Sequence, residues 1–69
     1  MRLDKYYVLK TGDYYLSDIM CEGNNLLNYA INKEYKKLYF DYELAEDDRK
    51  LIFIETGLNL EIKLLKEEK

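Results

Sequence analysis

The chain has 69 residues, 11 Lys and Arg against 14 Asp and Glu, and a formal charge of −3. It lacks His, Pro and Trp and has one cysteine, Cys21, so the usual general base and commonest metal ligand is missing. A lone thiol can neither close an internal disulfide nor build a structural zinc site, which takes about four N or S ligands.

Apolar content of 48% beside 36% charge describes a globular chain, not a disordered one. A domain this small buries only about 60% of its unfolded surface, so its core is thin. The apolar run Leu51–Ile54 is far below the roughly 20 residues that span a bilayer. Met-Arg-Leu-Asp-Lys-Tyr at the start has no signal-peptide core. The expectation is a reducing, cytoplasmic setting. Eight tyrosines are the unusual count, and with many Lys, Asn, Ile and Glu they suggest an AT-rich genome.

Residues 4–10 are rich in aromatic and β-branched types and read as a strand. Thr11-Gly12-Asp13 makes a turn, and Tyr14 to Ile19 returns, so a β-hairpin at 4–19 is predicted. Cys21 to Asn25 breaks the pattern. Leu27, Ala30, Ile31, Tyr35 and Leu38 then follow helical spacing, which predicts a helix over 26–36. A third strand at 26–31 is the rival reading.

Leu38, Phe40, Tyr42 and Leu44 alternate with Tyr39, Asp41 and Glu43, predicting a strand over 38–44 with the first set inward. Further strands are expected at 51–55 and 58–65, and residues 66–69 read as a frayed tail. Leu27, Ile31, Leu38, Phe40, Leu60 and Ile62 are the expected core. One tyrosine of each pair, Tyr6-Tyr7 and Tyr14-Tyr15, is expected to point inward. The fold class is thus α+β in one small domain, ββαβββ. The alternative is a hairpin followed by β-α-β, with the helix at about 42–56, between Asp41 and Gly57. That helix would put Asp48 and Glu55 on its apolar face and leave Phe53 outside.

Hairpin, helix, then strands resembles the β-grasp layout of ubiquitin-like modules. Lys37-Leu38-Tyr39-Phe40, with Leu44, Glu46, Asp47 and Arg49 after it, is similar to the second half of ubiquitin over some 15 residues. The resemblance implies a helix across a mixed sheet, the last strand beside the first, and protein binding through an exposed sheet face. The final Lys-Glu-Glu-Lys replaces the family's Gly-Gly, so its conjugation chemistry does not carry over.

Ser17, Thr11, Thr56, Cys21 and the lysines have no histidine to activate them, and no glycine-rich phosphate loop is present. Cys21 has no basic neighbour in sequence to lower its pKa and reads as a half-buried thiol. Catalysis, cofactors and a metal site are not expected. Asp41, Glu43, Glu46, Asp47 and Asp48 put five carboxylates in eight residues. Their spacing misses the EF-hand pattern, but they suit docking on a basic protein. Tyr39, projecting beside them, would be the aromatic anchor.

The expected function is therefore a non-enzymatic protein-binding module. By analogy of size and composition it would be a phage or mobile-element accessory protein. It would bind and inhibit a host protein with a basic surface, such as a defence nuclease, in the manner of an anti-CRISPR protein. The alternative is a small nucleic-acid-binding or regulatory factor using Lys36, Lys37 and stacked tyrosines. A third reading is a structural subunit whose exposed sheet edge joins copies of itself.

Overall fold

The structure is a computed structural model that describes the backbone of residues 3–68 and the side chains of residues 5–66. It is a small α+β domain of four strands and one helix. Strands β1 (Leu3–Thr11), β2 (Tyr14–Glu22) and β3 (Asn25–Asn32) form a meander, helix α1 (Tyr42–Thr56) follows, and β4 (Glu61–Glu68) closes the sheet. The order across the sheet is β3-β2-β1-β4, and every pairing is antiparallel. The last strand does lie beside the first, but antiparallel to it, so the mixed sheet implied by the ubiquitin-like resemblance is not formed.

The hairpin over 4–19 is present as β1 and β2, turning at Gly12 (φ 59°). It is closed only at its tip. β1 and β2 pair at Lys10–Tyr15 and Thr11–Tyr14 and then part. Residues 37–39 fill the fork: Lys37 N–H donates to Leu16 O at 2.8 Å, and Tyr39 exchanges two backbone bonds with Tyr7, at 2.7 and 2.9 Å. The sheet is therefore two ribbons, β4–β1 and β2–β3, joined at one end and wedged apart at the other.

The predicted helix over 26–36 is instead β3. The adjacent pairs Leu26-Leu27 and Ala30-Ile31 argued against a strand because a regular pleat puts neighbours on opposite faces. A register shift opposite Met20–Cys21 leaves Leu27 as an extra residue in β3. Such a bulge resets the alternation, so Leu26 and Tyr29 both reach the core while Leu27 is 57% exposed. Asn32 Oδ1 then accepts from Glu34 N and Tyr35 N and ends the strand.

The strands expected at 38–44 and 51–55 are also corrected. Only Tyr39 bridges to the sheet, and Tyr42 to Thr56 is helical. Asp41 is the N-cap, its Oδ1 accepting from Glu43 N at 3.0 Å. Gly57 (φ 81°) ends the helix in the left-handed region, its N–H donating to Phe53 O at 2.8 Å. Thr56 adds a hydroxyl bond to Ile52 O.

The 58–65 strand is observed later, as Glu61–Glu68. Residues 66–68 are thus paired with β1 rather than frayed; Lys69 lies outside the described residues. Leu9, Leu16, Tyr39, Ala45, Ile52 and Leu60 make the core, between one sheet face and α1. Of the expected core, Leu60 is buried and Ile62 packs against it. Leu27, Ile31, Leu38 and Phe40 are exposed instead.

Candidate functional site

The five carboxylates fall on the N-cap and the first two turns of α1, where the helix dipole favours negative charge. The helix separates their roles. Ala45 and Ile52 are its buried residues, and Asp48 lies beside them at helical spacing. Asp48 accepts a hydrogen bond from the Tyr39 hydroxyl. Glu46 turns to one flank and pairs with Arg49, whose Nε and Nη2 donate to its two oxygens at 2.9 and 3.1 Å. Asp41, Glu43 and Asp47 are exposed.

Three groups are perturbed at this end of the molecule: Tyr39, and the paired Glu46 and Arg49. Burial, reinforced by the hydrogen bond to Asp48 and its charge, pushes the Tyr39 phenol well above the usual tyrosine range. Bonding to Arg49 holds Glu46 below the ordinary carboxylate range and raises Arg49 in turn. Both effects favour order at the start of the helix; neither creates a titrating group near neutral pH.

Tyr39 is therefore not the projecting anchor expected from the sequence. It is 5% exposed and faces the core, because its bridge to Tyr7 puts it on the same sheet face as that core-packed residue. The pleat turns its neighbours the other way, and Phe40 is 72% exposed. Leu38, Phe40, Asp41, Leu44, Asp47 and Asp48 line a groove of about 480 Å³, with Lys37 at one side. A second hollow of about 580 Å³ lies between α1 and the β2–β3 turn, lined by Cys21, Asn24, Lys50, Leu51 and Ile54. Asp47 and Asp48 border both hollows. The result is a recess with exposed apolar side chains and carboxylates around them.

The sequence pattern places Leu38, Phe40 and Leu44 inward; the structure leaves all three exposed, beside the carboxylates. The available signal was Asp41: an N-cap there ends any strand at 38–40 and turns the later residues onto a helix. Cys21 is exposed rather than half-buried. Among the described residues, no three Cys, Asp or Glu come together to form a metal site, and no helix is long and apolar enough to cross a membrane.

The other tyrosines are distributed differently. Tyr7 packs on the core and meets Tyr42 edge-on at 5.5 Å, while Tyr6 meets Phe40 at 6.4 Å. Neither Tyr14 nor Tyr15 joins the core. Lys33 lies 5.5 Å over Tyr14, and Lys36 and Lys10 lie 4.9 and 6.0 Å over Tyr15. These tyrosine faces already carry lysines, and Lys37 sits over Tyr39, which is buried.

Fold and site together describe a small α+β domain with an acid-bordered apolar groove at the helix N-terminus. Comparison with protein-family models, with curated proteins and with solved structures gives no match.

Proposed function

We propose that the protein is a non-enzymatic binding module that docks a basic protein surface in the groove between residues 38–41 and the start of α1. The supporting observation is the pairing of exposed Phe40 and Leu44 with exposed Asp41 and Asp47 around one recess. Desolvation of an aromatic ring supplies contact energy, and the carboxylates steer a cationic partner and select its orientation. The site set expected from the sequence is thereby revised: Asp41 and Asp47 stay as the charged border, Phe40 replaces Tyr39 as anchor, Glu46 pairs with Arg49, Asp48 ties the helix to Tyr39, and Glu43 is exposed beyond the groove's lining.

A surface of this kind can occupy the nucleic-acid-binding face of another protein, with carboxylates where phosphates would lie. Inhibition of a host defence nuclease by a phage or mobile-element protein is the specific form of this reading. The alternative, direct nucleic-acid binding, draws on Lys10, Lys33 and Lys36 around Tyr14 and Tyr15.

The test uses two probes in parallel NMR titrations: a lysine- and leucine-rich peptide and a single-stranded oligonucleotide. The peptide is expected to shift the amides of 38–48, with affinity falling as salt rises. Phe40→Ala with Asp47→Lys should abolish those shifts. Shifts from the oligonucleotide alone, centred on Tyr14 and Tyr15, would transfer the function to the lysine-bearing end.

A further inference from the structure

We infer that β3 is a self-pairing edge, joining a second copy of this chain antiparallel across a two-fold axis at Ala30. Among the described residues, β3 borders only β2 in the sheet. Its sequence, Asn-Leu-Leu-Asn-Tyr-Ala-Ile-Asn, has no charge and no proline over its whole length. Natural edges are normally blunted by charges, prolines or bulges. The opposite edge shows that device: β4 carries Glu61, Lys63 and Lys66. The bulge in β3 lies at Leu27, and the other irregularity places its extra residue, Ser17, on β2. Residues 28–32 are left as a regular pleat facing solvent.

The hydrogen bonds fix which groups point outward. Ala30 O accepts from Ser17 Oγ at 3.2 Å and so faces β2. Tyr29 and Ile31, one residue to either side, then direct their N–H and C=O to the open edge. Tyr29 N–H donates to the side chain before it, Asn28 Oδ1, at 2.9 Å. A two-fold axis at Ala30 sets Tyr29 opposite Ile31 of the second copy and forms two backbone bonds at each such pair. It also sets Asn28 opposite Asn32, a pair of amides on the other face. Aromatic against β-branched is a favourable cross-strand pair, and no like charges meet. The edge is thus complementary to itself, as an isologous interface requires, and it uses the groups that β2 leaves free.

The occupant is a second copy because this register lays one uncharged strand against another and sets each Tyr29 opposite an Ile31. Sedimentation velocity over a wide concentration range should show a reversible dimer. Ala30→Lys should weaken it several-fold, since two lysines then meet at the axis. Within one chain that lysine faces Asp18 across the ladder, so circular dichroism should stay unchanged. Cysteine scanning in a Cys21→Ser background keeps the register testable even if the lysine variant folds poorly. Facing residues of a non-hydrogen-bonded pair lie close enough for a disulfide, so Ala30→Cys should cross-link on oxidation. Asn28→Cys should not, because the two copies of residue 28 would lie roughly 13 Å apart. A monomer at every concentration, cross-linking at Asn28→Cys as readily as at Ala30→Cys, or an undiminished dimer in Ala30→Lys would each overturn the inference.

Discussion

The two ribbons of the sheet are built on different terms. β4–β1 pairs without interruption from Leu3–Glu68 to Lys10–Glu61. β2–β3 is broken twice, carries its exposed Leu27 at a bulge, and borders the hollow at its turn. They share two residue pairs at the hairpin tip, the wedge at Lys37–Tyr39, and the helix laid over both. Since α1 meets β1, β3 and β4, the helix does the joining that a continuous ladder does in other sheets. A regular ribbon can then serve as frame while the irregular one is free to curve.

The sharpest test of this division is to hollow each ribbon in turn. Leu9 on β1 and Leu16 on β2 are both fully buried and belong to one core. Each truncation to Ala should cost about 2–5 kcal/mol, a large share of the roughly 5–15 kcal/mol a domain has. With the helix joining the ribbons, both variants should still unfold in one transition in urea. If Leu16→Ala frees the amides of β2 and β3 to exchange while those of β4 keep their protection, the ribbons are separate units and the joining role of α1 fails.

Tyr39 holds the wedge to the helix, and its effect is smaller. Tyr39→Phe deletes the bond to Asp48, a charged acceptor, for a loss of about 1–3 kcal/mol at neutral pH. The pH dependence has a definite sign. Tyr39 has its pKa raised from the usual 10.0, so the folded state holds the phenolic proton more tightly than the unfolded state. Its contribution is fully present below about pH 10 and is lost as the pH rises further. Urea midpoints from pH 7 to 11 should therefore fall more steeply in the parent than in Tyr39→Phe. Parallel slopes would show that the phenol is not the group that titrates.

The same residues explain what could be read from the sequence. The hairpin was legible because β-branched and aromatic residues flank a turn with a glycine that needs positive φ. The last strand was legible from its alternation. Helix and third strand were exchanged because hydrophobic periodicity reports burial, and here burial does not follow it. Leu44, Phe53 and Ile54 stand outside α1 while Asp48 turns inward. Glu55, expected on the apolar face of a helix between Asp41 and Gly57, is exposed, whereas that helix does turn Asp48 inward and leave Phe53 outside. The fold accepts both: a tyrosine hydroxyl satisfies the carboxylate, and Phe53 stays half-exposed. Capping chemistry at Asp41 and Gly57 carried more information than the apolar stripe. For the site, charge was legible and orientation was not, since one inverted pleat exchanges Tyr39 for Phe40.

The smallest expected effect bears on the open side of the fork. Ile19 and Tyr29 face each other across the β2–β3 ladder, and each backbone N–H is held by the side chain preceding it. Asp18 Oδ1 accepts from Ile19 N and Asn28 Oδ1 from Tyr29 N, both at 2.9 Å. The two amides thus point out of the ribbon, Tyr29 toward the free edge and Ile19 toward the gap that β1 has left. These exposed bonds close no ladder, so Asp18→Ala and Asn28→Ala should leave the urea midpoint nearly unchanged. Hydrogen exchange at Ile19 and Tyr29, measured in dilute monomer, should instead quicken several-fold in the respective variants. The other ladder amides should keep their rates. An Ile19 amide that stays slow in Asp18→Ala would mean β1 runs close beside β2 well past the tip. The fork would then be closed, and the two ribbons would be one sheet.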